Sequence, residues 1–76
     1  MARLTPLDWR KLVRLFEADG FTKRREKGSH IIMDKPGADR PVVIPKYSDV
    51  GVDIIKSNMR TAGMPQKRFF DLLKDC

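Results

Sequence analysis

The only histidine in the chain, His30, closes the run Lys27-Gly28-Ser29-His30. Imidazole is the one side chain whose unperturbed pKa, about 6.5, lets it both take and give a proton near neutral pH. Just before it stands Lys23-Arg24-Arg25-Glu26-Lys27, four cations against one carboxylate and a net +3 over five positions. A glycine followed by a small hydroxyl residue, between two strand-like segments, marks a tight turn with exposed backbone N–H groups. Cations, a turn and a proton-transfer group this close together point to a phosphodiester. His30 is then the candidate acid/base, and Lys23, Arg24, Arg25 and Lys27 are the candidate phosphate contacts. The Gly28 and Ser29 amides are placed to meet negative charge. The plainer reading makes His30 a strand-start residue bonded to a neighbouring carbonyl, and the basic run a solvated edge strand that its charges keep from aggregating. Ser29 has no Asp or second histidine with which to form a triad, so it reads as a turn residue.

The rest of the chain must hold this segment in place. Thr5-Pro6-Leu7-Asp8 has the form of a helix start, with Thr5 as N-cap, Pro6 at the first helical position and Asp8 as the capping-box acid. Leu4 and Trp9 then occupy the positions of a hydrophobic staple. Trp9, Leu12, Val13 and Phe16 follow the spacing of a buried stripe, and Gly20 ends the helix. Trp9 on that stripe reads as core and not as a base-stacking residue. Phe21–Lys27 alternates weakly, as an edge strand does. Ser29–Asp34 is the second strand, and its period of two puts His30, Ile32 and Asp34 on one face and Ser29, Ile31 and Met33 on the other. Lys35–Arg40 is a turn. Val42-Val43-Ile44, bracketed by prolines, is the third strand and reads as the best buried. A second helix follows, with Asp53 as its cap and Ile55, Met59 and Ala62 facing inward, and Gly63 closes it. Pro65 opens a short final helix whose stripe is Phe69, Leu72, Leu73 and Cys76. Three antiparallel strands expose one apolar face, which the flanking helices cover together, giving a two-layer α+β sandwich.

Composition bounds the function. A chain of 76 residues is one domain, here 1–76, without room for a second core. Such a domain buries only about 60% of its unfolded surface, so its stability is marginal. With 34% charged and 41% hydrophobic residues it is globular and not disordered. Sixteen Lys and Arg against ten Asp and Glu give +6, a field that draws polyanions, nucleic acid first and an acidic protein second. One cysteine, Cys76, excludes an internal disulfide and zinc clusters. With no signal peptide, it favours the cytoplasm. No apolar run approaches the roughly 20 residues that cross a bilayer.

Several segments together carry a family resemblance: Gly28-Ser29-His30, Val43-Ile44-Pro45, Arg60-Thr61-Ala62-Gly63 and Phe69-Phe70-Asp71-Leu72-Leu73. In that combination and order the chain resembles the HicA (YcfA-like) toxins, from about Leu7 to Leu73. The resemblance implies a double-stranded-RNA-binding-domain-like α-β-β-β-α fold, with a three-stranded antiparallel sheet and its helices on one face. It also implies an mRNA interferase of a type II toxin–antitoxin system, silenced by a HicB-type antitoxin and monomeric when free. The family's catalytic histidine falls on His30. Many relatives carry another histidine shortly after the strand-ending proline, where this chain has Tyr47. Their Gly-Thr-Leu-Arg opening of the second helix is replaced by Asp53-Ile54-Ile55-Lys56.

The expected chemistry follows. His30 accepts the proton of a ribose 2′-hydroxyl as it attacks the adjacent phosphorus. No metal or other cofactor is required, because the nucleophile is internal to the RNA. Lys27, Lys46, Tyr47 and water are the candidates for the acid on the leaving 5′-oxygen. A non-catalytic RNA-binding module of the same fold, and a protein-interaction domain for an acidic partner, are the alternatives.

Overall fold

The computed structural model describes residues 3–75. Within them are three helices, α1 (Trp9–Ala18), α2 (Val52–Ala62) and α3 (Gln66–Lys74), and three strands, β1 (Thr22–Lys27), β2 (His30–Asp34) and β3 (Val42–Pro45). The strands form one antiparallel sheet in the order β1-β2-β3, so β2 is central and the basic strand is an edge. The order α-β-β-β-α-α is that of an α+β, double-stranded-RNA-binding-domain-like fold with an open sheet.

Alternation along the strands decides which face is covered. Ile31 and Met33 of β2 and Val42 and Ile44 of β3 are buried, while His30 and Val43 are exposed. Leu12, Leu15 and Phe16 of α1, Ile55 and Met59 of α2, and Phe69 and Leu72 of α3 meet them from the other side. Each such side chain contributes about 1.5–3 kcal/mol on full burial. The third strand is well buried, as expected, except that Val43 looks out from the open face. The buried stripe of α1 is Leu12, Leu15 and Phe16, with Trp9 and Val13 only half-buried. Leu15 joins it because α1 packs against α3 as well as against β1 and β3, which widens the covered arc.

The chain enters α1 later than the sequence predicts. Leu7 is held in an extended bridge with Val50, its amide donating to the Val50 carbonyl at 3.2 Å and its carbonyl accepting from the Val50 amide at 2.7 Å. Backbone committed to that bridge cannot also be the first helical turn. The N-cap is therefore Asp8, not Thr5, and its Oδ1 accepts the Arg10 amide at 2.8 Å. The staple positions move with it, from Leu4 and Trp9 to Leu7 and Leu12. Gly20 ends the helix as expected: at φ +103°, it lets the Phe21 amide reach back to the Phe16 carbonyl at 2.9 Å.

At α2 the Ile55 amide bonds the Gly51 carbonyl at 3.1 Å, so the helix begins at Val52 and Gly51 holds the cap position. Asp53 lies inside the first turn, where its charge favours the helix N-terminus, and it is not the cap. Asn58 is buried beside Ile55 and Met59, a polar residue in the stripe where the sequence predicted only apolar ones, whereas Ala62 is half-buried. Phe69 and Leu72 form the buried stripe of α3 with Leu73 at its margin. Cys76 lies outside the described residues.

Candidate active site

β1 and β2 are joined by the smallest hairpin loop available, Gly28-Ser29, with Lys27 and His30 as the closing pair. Gly28 has φ +59° and Ser29 does not have a positive φ, the combination of a II′ turn with glycine first. A Cβ at Gly28 would meet nothing within 4 Å, so backbone conformation and not crowding calls for glycine there. Because primed turns match the strand twist, the two strands leave it in register, and that register fixes where His30 points.

Cross-strand partners share a face. Lys27 pairs with His30, and His30 with Pro45 on its other side. The next rung on the same face is Arg25, Ile32 and Val43. Thus His30, exposed, lies on the uncovered side of the sheet with a cation directly across and a second one rung along. Neither Arg25 nor Lys27 forms an ion pair among the described residues. Nor does the Gly28 or Ser29 amide donate a hydrogen bond among them, which leaves both turn N–H groups free for an anion.

The other two cations of the basic run are placed differently. A bulge between Lys23 and Arg25 inserts Arg24 as an extra residue, and its guanidinium pairs with Asp34 at 3.4 Å. Lys23 pairs with Glu26 at 3.0 Å. Glu26 belongs to the rung of Ile31 and Ile44, the opposite face from His30. It also receives the Lys46 ammonium, which lies 5.5 Å from the centre of the Trp9 ring. The Lys46 hydrogen bond first, and the Lys23 one second, hold the Glu26 carboxyl below the usual carboxylate range. Lys46 thus ties the hairpin to α1: its amide donates to the Ser29 carbonyl at 2.8 Å while its ammonium bridges Glu26 and Trp9. Trp9 is half-buried between Lys46 and Arg10, whose guanidinium sits 5.0 Å from the ring centre. Lys46 was a candidate acid, but here its ammonium is held by Glu26, away from the His30 face.

Tyr47 follows directly, half exposed, with its backbone fixed at both ends. Its amide donates to the Pro45 carbonyl at 2.8 Å, and its carbonyl accepts from the Trp9 amide at 3.1 Å. A shallow depression of about 370 Å³ lined by Thr22, Arg24, Asp34, Lys35 and Pro36 lies at the far end of the β1–β2 pair from His30. The candidate site itself is an open rim, a shape that suits a polymer lying across it better than an enclosed small molecule.

The chain is thus a basic α+β domain whose open sheet face presents one imidazole and two cations that have no ion pair among the described residues. The family model for the HicA toxin of bacterial toxin–antitoxin systems matches residues 9–64 of the 76-residue chain, a span that holds the whole sheet and His30, and the chain belongs to that family. It is accordingly a toxin of a toxin–antitoxin system, in a family whose members are generally ribonucleases, and an antitoxin is its partner. No curated protein matches the chain. No helix among the described residues is long and apolar enough to cross a membrane.

Proposed function

We propose that the protein is an mRNA interferase, an endoribonuclease in which His30 takes the proton from a ribose 2′-hydroxyl. The oxygen attacks the adjacent phosphorus and the P–O5′ bond breaks, leaving a 2′,3′-cyclic phosphate on one product and a 5′-hydroxyl on the other. The nucleophile comes with the substrate, so the chain has to align it and take its proton. Arg25 and Lys27 hold the flanking phosphates, and the Gly28 and Ser29 amides meet the charge that develops on the phosphoryl oxygens. Lys23 and Arg24 add to the field around the strand from within their ion pairs. With the Lys46 ammonium held by Glu26, Lys27, Tyr47 and water remain for protonating the leaving oxygen.

The observation that carries this reading is the exposure of His30 on the uncovered face, directly opposite Lys27, which has no ion pair among the described residues. We further propose that a HicB-type antitoxin silences the toxin by covering His30 and the basic strand. Binding the folded state alone also stabilises a small domain by mass action.

The test is incubation of the purified chain with labelled RNA in EDTA. Cleavage to cyclic-phosphate ends is expected, and it should fall by about 10²–10⁴-fold in a folded His30→Ala variant. RNA bound with steep salt dependence but left intact would make the chain a binding module instead. Equal cleavage by parent and variant would remove His30 from the mechanism.

A further inference from the structure

Among the described residues two large hydrophobic side chains are conspicuously exposed, Tyr47 at 50% and Val43 at 40%. Both belong to β3 or the turn that ends it. Val43 stands on the face of His30, one rung away, and Tyr47 follows Pro45, the partner of His30, by two residues. Both therefore lie within a few residues of the strand end that pairs with His30.

We propose that Tyr47 is the stacking platform for an unpaired base of a single-stranded RNA substrate, next to the phosphodiester held at His30. The inference rests on the ribonuclease reading of the site and adds to it the form of the substrate.

Three observations support it. The Tyr47 backbone is fixed by its 2.8 Å bond to Pro45 and its 3.1 Å bond from Trp9, so the ring is presented from a rigid support and little order need be gained on binding. Two residues of backbone span at most about 7 Å, so the Tyr47 backbone lies close to Pro45, the cross-strand partner of His30. The charges are complementary: Arg25 and Lys27 stand on the His30 face without ion pairs among the described residues, an electrostatic track that leads to the His30–Pro45 rung two residues before Tyr47. That combination is how proteins hold single strands, because every base has a π face and every nucleotide a phosphate. A duplex buries its bases and gives Tyr47 nothing to stack on. Substrate choice would therefore be made by strandedness at this ring more than by base identity.

The probe is a fluorescein-labelled single-stranded oligonucleotide with 2′-O-methyl riboses, which lacks the attacking hydroxyl, and binding is read by anisotropy against a duplex of the same sequence. Tyr47→Ala should weaken single-strand binding by roughly 5- to 150-fold. Tyr47→Phe should stay within about twofold of the parent, and duplex binding should not change. Abasic replacements along the oligonucleotide, made with the parent chain, should show one position whose loss matches that of Tyr47→Ala and disappears in the Tyr47→Ala background. Equal single-strand affinity of parent and Tyr47→Ala overturns the proposal. So does an equal loss on the duplex, or a loss in Tyr47→Phe as large as in Tyr47→Ala, which would assign the hydroxyl and not the ring. Weakening confined to antitoxin binding also overturns it, since the surface would then belong to the protein partner. A parent chain that binds neither probe refutes the ribonuclease reading itself, whereas one that binds RNA without regard to Tyr47 refutes only the platform.

Discussion

His30 and Ile31 are neighbours on one strand, yet they face different environments. Ile31 is 2% exposed, part of the buried apolar core, while His30 stands in solvent. Along the same rungs, Lys27 and Pro45 flank His30, and Glu26 and Ile44 flank Ile31. One face of the sheet is spent on cohesion and the other is free for chemistry. A two-residue repeat keeps them independent, because a substitution on one side leaves the packing of the other intact. In so small a domain that separation matters, since there is little spare stability with which to tolerate a reactive group inside the core.

The comparison is tested most severely by exchanging the two kinds of loss. His30→Ala should cost about 10²–10⁴-fold in RNA cleavage and leave the melting temperature within a few degrees of the parent. A variant that unfolds would show that His30 also carries structure. Ile31→Ala should do the reverse, removing about 2–5 kcal/mol of stability and lowering the melting temperature by more than about 10 °C, as read by circular dichroism. Cleavage per folded molecule should be little changed.

Within β1 the same division predicts a smaller effect. Replacing Arg25 and Lys27 together by Gln should lower the slope of log affinity against log salt for single-stranded RNA by about 1.4. Replacing Lys23 and Arg24 should lower it by less, because Glu26 and Asp34 already offset their charge. Equal slopes for the two pairs would mean that the strand acts as a uniform patch.

The smallest effect concerns Glu26. Its folded pKa lies below the unfolded value, chiefly through the Lys46 hydrogen bond. Its stabilising contribution is therefore complete above the ordinary carboxylate pKa and is lost as pH falls through the folded value. Glu26→Gln should be slightly less stable than the parent at neutral pH, with the difference vanishing at the acid end of a melting-temperature profile. A difference that persists in acid would point to lost packing instead of lost charge.

The hairpin and the face of His30 were legible because they depend on local rules. Gly28-Ser29 names the turn, and a period of two assigns Ile31 and Met33 to the core. Other features depended on residues far away in the sequence. Thr5 has the form of a cap, but the bridge of Leu7 to Val50 keeps the chain extended up to Asp8. Lys46 reads as a candidate acid, but Glu26, twenty positions earlier, holds its ammonium. The basic run read as one patch, and nothing in its composition announced the bulge that turns Arg24 toward Asp34.

Strand-forming residues, turn chemistry and helix stripes were enough to specify α-β-β-β-α and to put the only imidazole in a basic hairpin, since those patterns act over a few residues of chain. Which cations remained unpaired, where the first helix could begin, and that Tyr47 stood exposed beside the His30 rung were decided only when distant segments met. Those outcomes depend on pairing and burial between segments, and a linear sequence does not state its own contacts.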